Sequence, residues 1–204
     1  MKAIVFFECS GRVKTALRAQ GIDAYSCDLK PSEIPNDQYH LQGDYKYYLP
    51  MVKECGLVIA HPDCTNVANS GVQWLFKIPG RYEQMLKDCV VFNEFLSLDV
   101  PYGIENPIHH RYAREYIRHY DQIIQPFYFS DSNTDRESKA TCLWLHKLPP
   151  LMFNFTGGEG IQQSVWREAP GPNRKANRAR TFQGIATAMA TQWGSYLLKE
   201  VQPH

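Results

Sequence analysis

The sequence lacks any apolar run long enough to cross a bilayer. Its first apolar stretch, KAIVFF (2–7), is far shorter than the roughly 20 residues that a membrane-spanning helix needs. No small-residue cleavage site follows this stretch, as one would after a secretory signal. We therefore expect a cytoplasmic protein that does not act at a membrane.

Paired cysteines are also lacking. The six cysteines include no C-x-x-C pair and no cysteine–histidine cluster with the spacing of zinc ligands. Without a secretory signal, free thiols are favoured over disulfides, and we expect no metal site. Most of the cysteines lie in or beside apolar segments, where we expect core residues. These are Cys27, Cys55, Cys89 and Cys142.

A strong net charge is absent as well, since the chain carries +1 at pH 7. This balance gives no global reason for a polyanionic partner. One segment, REAPGPNRKANRAR (167–180), is locally basic and holds Arg174, Arg178 and Arg180 against the single acid Glu168. It is either a solvated loop or a phosphate-binding segment, and the sequence leaves both open.

What is present favours an α/β fold in a single domain over residues 1–204. Hydrophobic residues make up 44% of the chain, which is enough for a sizeable core. Apolar runs rich in β-branched or aromatic residues alternate with segments of helical spacing. Such alternation predicts a mostly parallel, doubly wound sheet with helices on both faces.

Strand-like and helix-like segments follow one another along the chain. The strand candidates are 2–7, 23–28, 39–44, 56–60, 101–106, 122–129 and 140–145. The helix candidates are 11–21, 81–99, 110–120 and a C-terminal helix at 181–199. We expect the C-terminal helix to pack back on the sheet. We expect residues 146–180 to form a Pro/Gly-rich loop that contacts substrate.

Small or acidic polar residues follow five consecutive strand candidates. They occur in FECSG (7–11), at Asp28, at Gly43-Asp44, in HPDC (61–64) and in ENP (105–107). Because ligands bind beyond the carboxyl ends of parallel strands, these residues form one predicted site. Within it, we expect the loop histidine of HPDC to be satisfied by a backbone carbonyl.

The first of these turns indicates the kind of cofactor. An acid roughly 20 residues past a strand–turn–helix start, as at Asp28, is typical of ribose binding, and Asp44 could accept a hydrogen bond from adenine. The turn has Gly11 but no G-x-G-x-x-G motif, so it favours a cofactor without phosphate, S-adenosylmethionine (SAM), over a dinucleotide. The predicted cofactor-binding residues are Phe7, Glu8, Cys9, Ser10, Gly11, Asp28, Leu29, Asp44 and Pro62.

This ordered set resembles the cytosine carbon-5 methyltransferases. In that family a glycine-containing turn follows the first strand, acids follow the second and third, Pro-Cys follows the fourth and Glu-Asn-Val follows the fifth. The counterparts here include PDC (62–64) and ENP (105–107), and Lys139 stands at the place of a catalytic arginine. More narrowly, the chain is similar to small phage-type proteins labelled DNA cytosine methyltransferases, which implies a phage or prophage origin.

The resemblance implies a Rossmann-like SAM-dependent methyltransferase fold and a covalent mechanism. The Cys64 thiolate would add to carbon 6 of cytosine and make carbon 5 nucleophilic. Glu105 would hydrogen-bond the ring at nitrogen 3, and Lys139 would stabilise the thiolate or the base carbonyl. The predicted substrate-binding residues are Thr65, Asn66, Asn106, Arg174, Arg178 and Arg180, with Asn106 also holding its turn.

Asp63 stands where the family has proline. A carboxylate beside a thiol raises the pKa of that thiol, so we include Asp63 among the catalytic residues as one that disfavours the Cys64 thiolate. The chain also has no room for a separate target-recognition domain. The sequence therefore leaves three functions open. They are methylation of DNA, including single strands, methylation of free pyrimidine nucleotides or exocyclic amines, and nucleic-acid or nucleotide binding without catalysis.

Overall fold

The apolar runs of the sequence form one seven-stranded sheet in the order β3-β2-β1-β4-β5-β7-β6. The computed structural model of the protein describes residues 1–130, 135–153, 160–169, 171 and 174–200. The strands are β1 (Lys2–Phe6), β2 (Asp23–Asp28), β3 (His40–Gln42), β4 (Leu57–Ala60), β5 (Tyr102–Pro107), β6 (Gln122–Ile124) and β7 (Thr141–His146). The predicted α/β class and mostly parallel sheet are thus confirmed.

Strands β1 to β5 are parallel, whereas β7 runs antiparallel to both β5 and β6. The chain winds outward in one direction from β1 to β3 and then returns to β4 on the other side of β1. This reversal opens a crevice between the carboxyl ends of β1 and β4, where sheets of this kind bind ligands.

Helices cover the sheet on both faces, as predicted. They are α1 (Arg12–Ala19), α2 (Tyr45–Tyr48), α3 (Arg81–Leu96), α4 (Ser164–Arg167), α5 (Arg174–Ala179), α6 (Gln183–Ala188) and α7 (Gly194–Glu200). A π-helical turn, Met189–Trp193, joins α6 to α7. No helix in the described ranges is long and apolar enough to span a membrane.

The two hydrophobic cores follow from strand alternation. Ile4 and Phe6 of β1 pack on the face that α3 covers, while Ala3 and Val5 point to the face that α1 and α6 cover. Because both faces are buried, β1 and β4 are apolar at nearly every position.

The predicted helix at 110–120 is wrong. Only a short 3₁₀ turn, Ala113–Glu115, forms there. The His110 imidazole accepts from the Ala113 amide at 3.1 Å and contacts the Asn66 carbonyl at 2.7 Å. These bonds compete with the backbone hydrogen bonds of a regular helix, and they connect residues 110–120 to the loop after β4.

The predicted strand at 122–129 is shorter than expected. It ends at Ile124, because Pro126 offers no amide to a ladder and begins a 3₁₀ turn instead.

The C-terminal helix forms near its predicted bounds and packs on the sheet. It runs from Gln183 through the π turn to Glu200. Trp193 is fully buried, and a Cβ at Gly103 of β5 would lie 2.7 Å from its ring, so the helix and strand approach closely. The segment 146–180 is not a loop throughout, since it contains α4 and α5. Its residues 154–159, 170 and 172–173 lie outside the described residues.

Candidate functional site

The turn after β1 is built around a strained residue. Phe7 has φ of 61°, a left-handed conformation that costs a bulky residue about 1–3 kcal/mol. Its ring packs against Tyr45 and Phe95, with centroids 5.2 and 5.3 Å away. This packing holds the turn and directs the next residue, Glu8, back toward the start of α1.

Glu8 caps α1. Its buried carboxylate accepts from the amides of Val13 at 2.7 Å and Lys14 at 3.2 Å, while Gly11, with φ of 68°, precedes the helix without a side chain of its own. Burial raises the pKa of Glu8, and the positive charge of His61 and these two bonds oppose that rise. The carboxylate therefore satisfies the helix terminus that would otherwise be open to a phosphate group.

A cavity of about 90 Å³ lies at the predicted cofactor position. Its lining combines predicted residues with residues that the sequence did not single out as ligands. They are Phe7, Glu8, Cys9, Ser10, Asp28, Lys30, Glu33, His61, Ala179, Arg180 and Thr181. Pockets that hold drug-sized ligands are roughly 300–1,000 Å³, so this cavity is smaller than one that would enclose such a ligand.

Residues 178–181, here called the strap, supply Ala179, Arg180 and Thr181 to the cavity lining. The Arg180 guanidinium makes two bonds to the Glu33 carboxylate, at 2.8 and 3.0 Å. Arg12 donates to the Thr181 carbonyl at 2.8 Å. Arg180, which the sequence predicts to contact substrate, lines the cavity with its charge paired to Glu33.

Of the other two predicted substrate arginines, Arg174 precedes the strap and Arg178 begins it. Arg174 begins α5, and its Nε is buried without a partner among the described atoms. The backbone carbonyl of Arg178 accepts a hydrogen bond from the Lys139 ammonium at 2.8 Å.

The remaining predicted cofactor residues follow β2 and β3. Asp28 lines the cavity and accepts from the Lys30 amide at 2.9 Å, and Leu29 beside it is 72% exposed. Asp44 caps α2 by accepting from the Lys46 amide at 2.9 Å, and it does not line the cavity. Of the two acids, Asp28 is therefore the one placed to meet a ligand in the cavity.

The loop after β4 presents Cys64 half-buried between Asp63 and Thr65. Asp63 accepts hydrogen bonds from the amide and the hydroxyl of Thr65. Burial raises the pKa of Cys64, the charges of Asp63 and Glu105 raise it further, and Lys139 offsets part of the rise. The effect of Asp63 has the direction expected from the sequence.

Two residues predicted to contact substrate form hydrogen bonds within the protein. Asn106 is buried, donates to the Pro62 carbonyl at 2.7 Å and contacts His109 at 3.0 Å. Asn66 donates to Asp88 at 2.8 Å. Both amides are occupied within the protein, so they position the Cys64 loop. Pro62, which the sequence predicts to bind the cofactor, is buried, and its carbonyl accepts the hydrogen bond from Asn106.

Glu105 ends up beside His61 because of strand register. Ala60 of β4 pairs with Ile104 of β5, and one step further the two side chains face each other. His61 Nδ1 lies 2.9 Å from Glu105 Oε2, not against a backbone carbonyl as expected. Burial alone would raise the pKa of Glu105, but the hydrogen bond and charge of His61, with Lys139, outweigh it and lower the pKa.

Lys139 completes the group just before β7. Its charge lowers the pKa of both Cys64 and Glu105, so the three side chains lie within electrostatic reach of one another. The ammonium group also lies 5.8 Å from the centre of the Phe182 ring. A thiol, a carboxylate and a cation therefore influence one another at the carboxyl edge of the sheet.

Comparisons with known proteins give no family for this chain. No protein-family model matches it, and a search of curated proteins finds no similar sequence. Within the described residues, no three histidine, cysteine or acidic side chains are grouped so that they could hold a metal ion.

Proposed function

We propose that the protein is a SAM-dependent methyltransferase that modifies carbon 5 of cytosine in DNA. The observation that carries this proposal is that Cys64, Glu105 and Lys139 lie within electrostatic reach of one another at the carboxyl edge of the sheet. The group adjoins the cavity through His61, which lines the cavity and bonds Glu105. Each supplies a function that the chemistry needs: a nucleophile, a partner for the ring nitrogen and a cation for the thiolate.

A Rossmann-like fold is part of the proposal. The order 3-2-1-4-5 is that of doubly wound nucleotide-binding sheets, and an antiparallel β7 is inserted here between β5 and β6. The cavity lies at the reversal between β1 and β4, where such sheets hold their cofactor.

The cavity residues fit SAM better than a dinucleotide. In dinucleotide-binding folds the pyrophosphate lies on the N-terminus of the first helix. Here the Glu8 carboxylate already occupies that terminus and would repel a phosphate. Asp28 would hold the ribose hydroxyls, with Ser10 and the turn after β1 nearby. When bound, SAM supplies an electrophilic methyl group on a sulfonium.

The protein's own residues would act on the pyrimidine as follows. The Cys64 thiolate adds to carbon 6, which moves electron density to carbon 5. Glu105 holds nitrogen 3 and the amino group, and Lys139 stabilises the thiolate before addition. Asn106 keeps the loop in place by holding the Pro62 carbonyl.

Two observations favour other candidates. Arg180 is paired with Glu33, which leaves less positive charge for DNA and favours a free pyrimidine nucleotide as substrate. The raised pKa of Cys64 favours a binding protein that holds a nucleotide or nucleic acid without methylating it.

The decisive experiment uses an oligonucleotide that contains 5-fluorocytosine, together with SAM. Fluorine at carbon 5 blocks the proton loss that releases the enzyme, so a covalent adduct accumulates and is seen by denaturing gel and mass spectrometry. We expect the adduct in the wild type and in Cys55→Ala, whose buried thiol lies before β4 at the opposite edge of the sheet. We expect none in Cys64→Ala.

Parallel reactions separate the alternatives. Single-stranded and duplex oligonucleotides and 5-fluorodeoxycytidine monophosphate identify the substrate class. Binding of SAM or nucleic acid without adduct or methyl transfer would support the binding protein. Methyl transfer that survives Cys64→Ala would show that the chemistry does not use the thiol.

A further inference from the structure

The His61–Glu105 pair is buried at the junction of the cavity and the Cys64 loop. The side chains are 8% and 10% exposed, and Nδ1 and Oε2 are 2.9 Å apart. His61 also lines the cavity, and its Nε2 is buried with no hydrogen-bond partner among the described atoms. His61 thus bonds Glu105 through one ring nitrogen and keeps the other unpaired among the described atoms.

We propose that His61 and Glu105 share one proton, so that His61 supplies through Glu105 the proton that a pyrimidine takes up at nitrogen 3. This inference rests on the proposed function and makes His61 a positioning residue that acts through Glu105. It assigns a task to a residue for which the sequence suggested only a backbone contact.

The proton has to come from this pair because Glu105 alone is not suited to carry it. His61 and Lys139 together lower the pKa of Glu105, which leaves the carboxyl ionised at neutral pH. An ionised carboxylate can accept a hydrogen bond from the amino group of cytosine but cannot donate to nitrogen 3. A proton held on Nδ1 at 2.9 Å can move to the carboxylate as the ring demands it.

The step balances in protons and electrons. The Cys64 sulfur forms a bond to carbon 6, the carbon 5–carbon 6 electron pair shifts toward carbon 4, and nitrogen 3 takes the proton from Glu105. Glu105 takes the proton of His61 in turn, so the pair is left with one proton fewer. After methyl transfer, solvent takes the proton from carbon 5, and the carbon 5–carbon 6 double bond re-forms as the sulfur–carbon 6 bond breaks. Nitrogen 3 then returns its proton to the pair by the same path.

Charged groups from every neighbouring element face this pair. Glu8 lies after β1, Lys139 lies before β7, and Cys64 and Asp63 belong to the same loop as His61. Asp28, Lys30, Glu33 and Arg180 line the adjoining cavity. The Glu8 carboxylate lies within electrostatic reach of His61, and Lys139 favours an ionised Glu105.

The test compares His61→Asn with His61→Ala. The amide nitrogen of asparagine can replace Nδ1 as a donor to Glu105, but it carries no mobile proton. We expect both variants to slow adduct formation with 5-fluorocytosine at pH 7.5 by about 10²–10⁴-fold, the usual contribution of acid–base assistance. We expect His61→Asn to recover toward acidic pH, where solvent protonates Glu105 directly. If the rate of adduct formation in His61→Asn matches that of the wild type at every pH, the proposal is overturned. The His61–Glu105 hydrogen bond would then be purely structural.

A second measurement needs no methyl transfer. In the free protein, ¹⁵N spectra of His61 and the ¹³C carboxyl resonance of Glu105 are followed against pH. We expect the two residues to report the same titration steps, and His61→Asn to remove the shared step from the carboxyl curve. Independent curves would refute the shared proton even if methylation is observed. Shared curves without methylation would refute the proposed function instead.

Discussion

Lys139 donates a hydrogen bond to the Arg178 carbonyl at 2.8 Å, and the same ammonium charge acts on Cys64 and Glu105. One side chain therefore joins the strap to the candidate catalytic residues.

Asp63 should suppress the reactivity of Cys64. Asp63→Asn keeps an oxygen that accepts from the Thr65 amide, so the turn is retained while the charge is lost. Because the Asp63 charge raises the pKa of Cys64, we expect that pKa to fall in the variant. At pH 7 the rate of alkylation by iodoacetamide should rise by roughly 3- to 10-fold, since each pKa unit changes the thiolate fraction about tenfold.

The pH profile of alkylation provides the check. The midpoint of the curve should move to lower pH in Asp63→Asn, while the plateau at high pH should stay close to that of the wild type. An unmoved midpoint would mean that solvent screens Asp63 from the thiol.

Lys139 should have the opposite effect. Its charge lowers the pKa of Cys64, so Lys139→Met should move the alkylation midpoint to higher pH. Lys139→Arg is the matched control, because it keeps the charge and can still donate to the Arg178 carbonyl. If the alkylation midpoint moves equally in both variants, the effect does not come from the charge. It then depends on the exact placement of the lysine ammonium group.

The convergence of Cys64 and Glu105 could be predicted because it needs only the order of the strands. The carboxyl ends of parallel strands meet at one edge, so residues that follow β4 and β5 come together whatever the details. Predicting the contact between His61 and Glu105 also requires the register of β4 and β5, in which Ala60 pairs with Ile104. No local sequence pattern gives that register.

The role of the basic segment could not be read from its charge. A run of arginines predicts exposure or phosphate binding, but Arg180 pairs with Glu33, 147 residues away in the chain. The Arg180–Glu33 pair depends on the path of the C-terminal segment across the sheet. The packing of the following helix fixes that path. Charge patterning within a segment carries no information on a partner so distant.

The Arg180–Glu33 pair should slow ligand entry to the cavity. Its side chains are 31% and 36% exposed, and pairs of this kind contribute about 0.2–1 kcal/mol. In Arg180→Ala we expect the association rate constant of SAM, measured by stopped-flow fluorescence, to rise by about 1.5- to 5-fold. The double variant Arg180→Glu with Glu33→Arg should restore the wild-type rate.

Arg18→Ala is the control for this experiment. Its partner, Asp23, begins β2 at the edge of the sheet away from the cavity, and this ion pair is also partly exposed. An equal rate increase in Arg18→Ala would point to general loosening and would contradict a specific function of the strap.

The Lys14–Asp37 pair should make folding stability depend on pH. The ammonium of Lys14 on α1 and the carboxylate of Asp37 are 2% and 4% exposed, and Ser32 donates to the same carboxylate at 2.7 Å. Burial alone would raise the pKa of Asp37, but the bonds from Lys14 and Ser32 outweigh it and lower the pKa. The unfolded carboxyl titrates near 3.9, so the pair's stabilisation is complete above about pH 4 and is lost as the pH falls through the folded value.

Asp37→Asn tests this dependence by urea unfolding at pH 7, 5 and 3. At pH 7 the variant leaves the buried Lys14 charge unpaired, and we expect the free energy of unfolding to fall by about 3–5 kcal/mol. Between pH 5 and pH 3 the free energy of unfolding should fall more in the wild type than in Asp37→Asn. The difference in stability between the two proteins should therefore become smaller. Lys14→Met combined with Asp37→Asn should recover part of the loss at pH 7, because no charge is then left buried. A constant difference from pH 7 to pH 3 would show that the ionisation of Asp37 does not stabilise the fold.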